Sequence, residues 1–303
     1  MKTFTANQVR LGFIGVGAMG SRLVRRLLDA GYQLTVFDRN QANAEALRKD
    51  GASVAAGAVE LVESADIVLS CLTNDAAVLA VYLGPNGILS LARSGQVVLE
   101  MSTVSSETSR KIYAEGTQRG VNVMDVAISG STPAVERGTI TLLAGGDAQV
   151  FQAAEPIFKA IAQQYFLMGP SGAGTSMKLV VNTLLGVGMQ AVAEAIALGE
   201  AEGLPRERLL DVLSHTAVVA SAHVGKLTSA ERRDYNPQFP IGLMNKDFRL
   251  ILEAADSSNL VLPATAAAFK VNSAAFEEDP NSDFSSVIRH MERSVELTIP
   301  GKR

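Results

Sequence analysis

Residues 11–20 read LGFIGVGAMG, an apolar segment that runs into three glycines and then into a helical pattern. The spacing is G-x-G-x-x-G in a strand-to-helix context, which predicts a turn that binds phosphate. Gly15 permits the tight turn, Gly17 lets the backbone approach a pyrophosphate, and Gly20 lets the helix pack closely on the strand. The same spacing is also compatible with a plain tight connection, so the turn alone does not establish a nucleotide site.

An acidic residue at the end of the next predicted strand strengthens the nucleotide interpretation. Asp38 lies near the roughly 20-residue offset expected for a carboxylate that binds the adenosine ribose. Its charge repels a 2′-phosphate, which favours NAD, whereas the adjacent Arg39 would stack on adenine or attract that phosphate. NADP therefore stays open as the alternative cofactor. A glycine-rich turn followed by an acid also fits S-adenosylmethionine in a methyltransferase.

Short β-rich runs alternate with helical patterns only in the first half of the chain, which predicts βαβ units and a mainly parallel sheet. The Gly/Pro/Ser stretch at 168–174 ends this pattern. We predict an α/β Rossmann domain over residues 1–170 and an all-α domain over residues 171–303, joined by a long central helix from about Ser176 to Glu202. The predicted strands are residues 9–14, 33–37, 67–71, 97–100, 121–126, 139–144 and 165–167. The apolar helix residues expected to be buried are Leu179, Val180, Leu184, Val187, Met189 and Val192.

Composition and charge exclude several classes of protein. The net charge of -4 rules out a globally basic nucleic-acid binder, and 47% hydrophobic with 19% charged residues indicates a folded chain. The single cysteine, Cys71, lies in an apolar run and is expected to be a buried strand thiol. The three histidines are isolated from one another, so no metal site is expected.

Neither a signal peptide nor an uninterrupted apolar stretch of roughly 18 residues is found in the sequence. We therefore expect a cytoplasmic protein with no membrane partner and no nucleic-acid partner.

Four segments in order resemble the β-hydroxyacid dehydrogenase family, which includes 3-hydroxyisobutyrate dehydrogenase, tartronate semialdehyde reductase and the glyoxylate or succinic semialdehyde reductases. They are the turn at 15–20, DVAISGS at 125–131, GAGTSMKLVVN at 172–182 and NKD at 245–247. The third and fourth segments lie in the helical half of the chain, so the resemblance to this family extends over both halves. This argues against the interpretation of the chain as a methyltransferase. It implies an NAD(P)-dependent oxidoreductase that interconverts a short β- or γ-hydroxy acid and its semialdehyde.

Two residues of the third segment have the chemistry that such a reaction needs. Lys178 and Asn182 are four residues apart on the predicted helix, so they project from one face and can approach one small molecule. Hydride transfer to a carbonyl creates an alkoxide that must receive a proton, which an amine can supply. Because lysine's reference pKa is about 10.4, this role requires burial or a nearby cation such as Lys246. Asn182 is expected to fix the alcohol or the amine by hydrogen bonding.

The remaining site residues are assigned by the resemblance. The Ser129-Gly130-Ser131 loop is expected to hold the substrate carboxylate, although Ala127 and Ser131 depart from the family's proline and glycine. Phe239 is expected either to close the pocket or to pack in the core. The expected cofactor contacts are Gly15, Val16, Gly17, Ala18, Met19, Gly20, Asp38, Arg39, Leu72, Thr73, Thr103 and Lys246. The expected substrate contacts are Ser129, Gly130, Ser131, Thr103, Lys178, Asn182, Phe239 and Asp247.

Two other functions stay open at this stage. The first is an imine reductase or reductive aminase. These enzymes have a similar architecture but usually replace the catalytic lysine, so Lys178 argues against this function. The second is a non-catalytic dinucleotide-sensing module, which would not need the Lys178 and Asn182 pair. The long helix and the apolar helical half predict a homodimer or homotetramer. His215 and His223 fall in the helical half and are expected to be ordinary surface or core residues.

Overall fold

The computed structural model describes residues 2–298, which form two compact units. The first unit ends at Lys178 and the second begins at Leu179, so the division falls inside the long helix. The domain boundary expected after Pro170 lies just before that helix and stays a prediction.

The first unit is built on one eight-stranded sheet in the order β3-β2-β1-β4-β5-β6-β7-β8. All neighbouring strands are parallel except β6 and β7, which are antiparallel, so the predicted mainly parallel α/β fold is confirmed. The chain order reverses between β1 and β4, which places a crevice outside the carboxyl ends of these strands. The strands are β1 (Arg10–Ile14), β2 (Gln33–Phe37), β3 (Ser53–Val54), β4 (Ile67–Ser70), β5 (Val97–Glu100), β6 (Asn122–Ser129), β7 (Thr141–Gly145) and β8 (Gln164–Gly169).

Helices cover both faces of the sheet. Ile67 and Leu69 of β4 pack in one apolar core, whereas Val68 packs in the other. This alternation explains why the central strands read as continuous apolar runs, since both of their faces are buried. The helices of this unit are α1 (Ala18–Asp29), α2 (Gln41–Glu45), α3 (Ala58–Ser64), α4 (Asp75–Leu83), α5 (Ile88–Leu91), α6 (Ser106–Gln118), α7 (Thr132–Arg137) and α8 (Ala148–Ile161), with a 3₁₀ turn at Arg48–Asp50.

Three details of the first unit differ from the sequence expectation. Strand β3 was missed because it has only two residues, too few to show an apolar alternation. Strand β6 extends to Ser129 because its antiparallel pairing with β7 continues to Thr141. Cys71 lies one residue beyond β4 and is half-buried, so its assignment as a buried strand thiol was wrong.

The second unit is helical, as predicted. Its core brings together Met189 and Ile196 of the long helix with Phe248 and Ile288 from later helices. From residue 179 to 298 the backbone forms no strand and one isolated bridge, between Pro240 and Asp283. The helices are α9 (Ala173–Ala201), α10 (Arg206–Ser214), α11 (Ser221–Glu231), α12 (Ile241–Ser257), α13 (Pro263–Glu278) and α14 (Val287–Thr298), with a 3₁₀ turn at Phe284–Ser286.

Helix α9 has 29 residues and is about 44 Å long at 1.5 Å per residue. Met189 and Val192 are buried as expected, but Val180 and Leu184 are 55% and 73% exposed, so their predicted burial was wrong. The helix therefore has one apolar face in the core and another apolar face exposed on this chain. By length and composition alone α9 meets the criteria for crossing a bilayer, as central helices of globular cores also do.

Candidate active site

The phosphate turn requires glycine at its first position. Gly15 has a φ of +88°, in the left-handed region that favours glycine. A Cβ there would also collide with the carbonyl oxygen of Cys71, because the turn packs against the chain leaving β4. The N–H of Gly15 donates to the carbonyl of Phe37 at 3.0 Å, which fixes the turn at the end of β2 as well.

The second glycine leaves the turn open on its outer side. A Cβ built on Gly17 would meet no atom within 4 Å. Gly17 is also the N-cap of α1 and provides no side-chain hydrogen bond to the first turn. The first N–H groups of α1 are therefore available to an anion in open space, and the residues present fit the pyrophosphate of a dinucleotide.

Asp38 joins the end of β2 to the phosphate turn. One carboxylate oxygen accepts the N–H of Val16 at 2.9 Å, and the other accepts the N–H of Asn40 at 2.8 Å. Each oxygen keeps a second lone pair that can accept a ribose hydroxyl. The sequence indicated the ribose role but missed the bond to Val16, because this contact depends on how β2 pairs with β1. Arg39 is exposed beside it.

The loops that follow β4 and β5 are tied together beside this turn. Ser102 is buried, and its hydroxyl accepts the N–H of Leu72 at 2.7 Å. The N–H of Ser102 donates in turn to the buried carboxylate of Glu100 at 2.7 Å. These bonds hold the loops that carry Thr73 and Thr103, which are two of the expected cofactor contacts.

A second tie between the same loops centres on Asp75, at the start of α4. One of its carboxylate oxygens accepts from the N–H and the hydroxyl of Ser105, at 2.9 and 2.7 Å, and from the hydroxyl of Thr108 at 2.7 Å. Burial raises the pKa of Asp75, but the bonds from Ser105 and Thr108 outweigh burial and leave that pKa below its usual value. Asp75 and Ser102 therefore support the structure of the site, a role that the sequence alone does not indicate.

The expected carboxylate loop lies at the same edge of the sheet. Ser129 ends β6, Gly130 has a φ of +145°, and Ser131 precedes α7. Because β1, β4, β5 and β6 are parallel neighbours, their carboxyl ends meet at one edge. The first unit thus brings together the phosphate turn, the loops carrying Thr73 and Thr103, and the Ser129 loop.

Lys178 lies near the beginning of α9 and is 8% exposed. The first turn of α9 is bound by Asp125 of β6, which accepts the N–H groups of Gly172 and Thr175 at 2.7 and 2.9 Å. Asp125 belongs to one of the four sequence segments, but the sequence alone indicates no role for it. Its place as the first residue of the DVAISGS segment is the signal that would have pointed to it.

A second group of site residues forms within the second unit. Asn182 is fully buried on α9, and its amide nitrogen donates to Asp247 of α12 at 2.5 Å. The other oxygen of Asp247 lies 3.0 Å from the ammonium of Lys246, an ion pair without hydrogen-bond geometry. The side-chain oxygen of Asn182 has no hydrogen-bond partner among the described residues. Because a buried acceptor without a donor is costly, this oxygen is suited to a hydroxyl or ammonium donor.

Phe239 lies outside this second group. Its ring packs edge-on against Phe284 at 5.6 Å, and its N–H donates to the carboxylate of Asp283 at 3.0 Å. Of its two expected roles, the described contacts support core packing.

The histidines have ordinary environments. His223 is buried, with its Nε2 2.9 Å from the carbonyl of Leu185, and burial lowers its pKa. His215 is exposed. Residues 2–298 contain no group of three or more His, Cys, Asp or Glu side chains able to hold a metal ion.

Comparison with known proteins covers both halves of the chain. The family described as the NAD binding domain of 6-phosphogluconate dehydrogenase matches residues 10–169. The family described as "NAD-binding of NADP-dependent 3-hydroxyisobutyrate dehydrogenase" matches residues 172–291. The chain belongs to the β-hydroxyacid dehydrogenase family.

Individual members of this family are similar over most of their length. The NAD-dependent L-serine dehydrogenase of Pseudomonas aeruginosa is 38% identical over 256 residues, 82% of this chain and 86% of that protein. Glyoxylate/succinic semialdehyde reductase 1 of Arabidopsis thaliana is 32% identical over 95% of this chain and 100% of that protein. The structure of Mycobacterium tuberculosis 3-hydroxyisobutyrate dehydrogenase with L-serine superposes with a TM-score of 0.85 at 28% identity, covering 93% of this chain and 99% of that one.

Membership of the β-hydroxyacid dehydrogenase family establishes the reaction type. The chain is an NAD(P)-dependent oxidoreductase that acts on the CH–OH group of a hydroxy acid. Residues 10–169 match an NAD binding domain, as the sequence predicted for this half of the chain.

Proposed function

We propose that this dehydrogenase interconverts a short β- or γ-hydroxy acid and its semialdehyde, with Lys178 as general acid and base and NAD as the preferred cofactor. The observation that carries this proposal is the pair of buried polar residues Lys178 and Asn182, about one helical turn apart on α9. Their spacing of four residues places both side chains on one face of α9, where they can act on one small polar molecule.

The proposed roles follow from the atoms available. The bound dinucleotide supplies the hydride acceptor for oxidation and the hydride donor for reduction. Lys178 Nζ removes the hydroxyl proton during oxidation and returns a proton to the carbonyl oxygen during reduction. The second N–H of the Asn182 amide donates to the substrate oxygen, while Asp247 accepts the other N–H and holds the amide in place. Ser129 and Ser131 bind the substrate carboxylate.

Relatives support a small hydroxy acid without deciding between the β and γ classes. L-Serine, named for the Pseudomonas relative and the Mycobacterium structure, is a β-hydroxy acid. Succinic semialdehyde, named for the Arabidopsis relative, is reduced to a γ-hydroxy acid. The substrate class must therefore be measured directly.

A substrate panel tests the proposal. Oxidation of L-serine, 3-hydroxyisobutyrate and 4-hydroxybutyrate is followed with NAD and with NADP. Reduction of glyoxylate, succinic semialdehyde, tartronate semialdehyde and a cyclic imine is followed with the reduced cofactors. Turnover of a β- or γ-hydroxy acid, or of its semialdehyde, supports the proposal and identifies the branch, whereas turnover of glyoxylate alone, which yields an α-hydroxy acid, contradicts it. Turnover of a cyclic imine alone would instead favour an imine reductase, and tight dinucleotide binding without any turnover would favour a sensing module.

Replacement of Asp38 tests the cofactor preference. Asp38→Ala is expected to weaken NAD binding about tenfold more than NADP binding, because the carboxylate binds the ribose hydroxyls and repels a 2′-phosphate. The ratio of the two dissociation constants is the relevant measurement, since loss of the bond to Val16 affects both cofactors. Arg39→Ala is the matched control and is expected to shift this ratio in the opposite direction. Equal weakening of NAD and NADP by Asp38→Ala contradicts the assignment.

The exposed apolar face of α9 supports the proposed homodimer or homotetramer. Val180, Leu184 and Leu198 are 55%, 73% and 64% exposed on this chain, so α9 presents apolar side chains that a second copy of the chain could cover. We expect sedimentation at micromolar concentration to show an oligomer and Leu184→Lys to shift it toward the monomer. A monomeric wild-type chain contradicts this proposal.

The cytoplasmic location stays a prediction.

A further inference from the structure

Asp125 of β6 is 2% exposed, and its carboxylate accepts three hydrogen bonds. It takes no direct part in the proton transfer proposed above. One carboxylate oxygen accepts the N–H of Gly172 at 2.7 Å. The other accepts the N–H of Thr175 at 2.9 Å and its hydroxyl at 3.3 Å. Both oxygens are therefore committed to the segment in which α9 begins.

These bonds do more than cap a helix. The first N–H groups of a helix have no partner within it, and a cap normally comes from the residue just before the helix. Here the acceptor comes from β6, 47 and 50 residues earlier in the chain. The hydroxyl of Thr175 also lies 2.9 Å from that of Ser109 on α6. The beginning of α9 is thus bound to two elements of the first unit and is held against rotation and axial sliding.

Lys178 follows Thr175 by three residues, about 4.5 Å along the helix axis. A rotation or shift of this first turn therefore moves the lysine directly. Proton transfer depends steeply on such displacement, since misplacement of a reacting group by about 1 Å can cost roughly 100-fold in rate.

We propose that Asp125 is a positioning residue, whose bonds to Gly172 and Thr175 fix Lys178 for proton transfer. This inference rests on the proposed role of Lys178. A cap alone does not need a buried carboxylate, because the hydroxyl of Ser105 caps α6 in the same unit. Burial raises the pKa of Asp125 above its usual value even with its hydrogen bonds, so burial opposes the ionised form of this carboxyl group.

The variant Asp125→Asn tests the proposal with almost no change in shape. One carboxylate oxygen becomes an NH₂ group, a donor that faces another donor at Gly172 or Thr175. We expect kcat to fall about tenfold or more, with the dissociation constant of the dinucleotide changed less than about twofold. Asp147→Asn is the matched control, because Asp147 caps α8 through the N–H groups of Gln149 and Val150. Its kcat is expected to stay at the wild-type value.

A double-mutant cycle separates positioning from general destabilisation. If Asp125 acts through Lys178, Asp125→Asn adds no further loss to the residual rate of Lys178→Ala. Independent, additive losses overturn the proposal, as does an unchanged kcat in Asp125→Asn. Thr175→Val, which removes only a hydroxyl from this arrangement, is the milder variant should Asp125→Asn not fold. It is expected to lower kcat severalfold, and wild-type kcat in that variant also overturns the proposal.

A readout without turnover distinguishes failure of this inference from failure of the proposed function. The rate at which acetic anhydride modifies Lys178 is measured by mass spectrometry in the wild type, Asp125→Asn and Asp147→Asn. We expect a changed rate at Lys178 in Asp125→Asn alone, with other lysines unaffected. An unchanged rate overturns the positioning role, whatever the substrate panel shows.

Discussion

Lys178→Ala is expected to lower kcat by two orders of magnitude or more while leaving the dissociation constant of the dinucleotide nearly unchanged. General acid and base catalysis contributes about 10²–10⁴-fold, and alanine removes the group that exchanges the proton. The loss should appear in both kcat and kcat/KM. Lys178 exchanges a proton with the substrate oxygen in the transition state and contributes little to binding of the substrate in the ground state. Stopped-flow measurement of the hydride step and fluorescence titration of the reduced dinucleotide give the two quantities.

A charge-preserving variant sharpens this test. Lys178→Arg keeps a cation at the same position but carries a guanidinium that does not lose its proton in proteins, so it should be nearly as inactive as Lys178→Ala. Substantial activity in Lys178→Arg would show that the residue acts only through its charge. Lys159→Ala is the matched control, because Lys159 lies on the surface of α8 in an ion pair with Glu155. Near-normal turnover in Lys178→Ala removes Lys178 from the mechanism.

The fold could be predicted because its determinants are local in sequence. Buried parallel strands such as β4 and β5 are short apolar runs, and the turn at Gly15 carries its own glycine spacing. Strand β3, with two residues, falls below the length at which such a pattern can be detected. Burial on α9 was predicted from apolarity alone, and Leu184 shows that an apolar helix residue need not face the core of its own chain.

The interactions that support the site could not be predicted in the same way. The Ser102 bond to Leu72 spans 30 residues, and the Asp125 bond to Thr175 spans 50. Each bond forms because the order of strands in the sheet brings together loops that are distant in sequence. The identity of a single serine or aspartate does not indicate which residue it will bind. The Asn182 bond to Asp247, which spans 65 residues, joins two expected site residues, but the sequence did not pair them.

Gly17→Val is expected to weaken dinucleotide binding about 100-fold, or about 2.7 kcal/mol, without lowering the thermal stability of the free protein. The reason is that Gly17 has a φ of −67°, which any L residue adopts, and a Cβ there meets no protein atom within 4 Å. Glycine at this position is therefore not required by the fold, and the branched side chain would fill the space through which the pyrophosphate approaches the backbone.

Gly15→Ala is the informative contrast. At a φ of +88°, and with its Cβ directed at the Cys71 carbonyl, even a methyl group should lower the melting temperature as well as dinucleotide affinity. Thermal unfolding of both variants, each with and without saturating NAD, separates the two effects, because only a bound ligand adds stability by mass action. A stable Gly17→Val protein whose melting temperature NAD raises as much as in the wild type would show that the pyrophosphate does not pass over Gly17. That result would also remove the geometric basis for placing the dinucleotide at this turn. The described hydrogen bonds of Gly15 and Asp38 are made with the protein's own backbone, so they do not by themselves indicate a ligand.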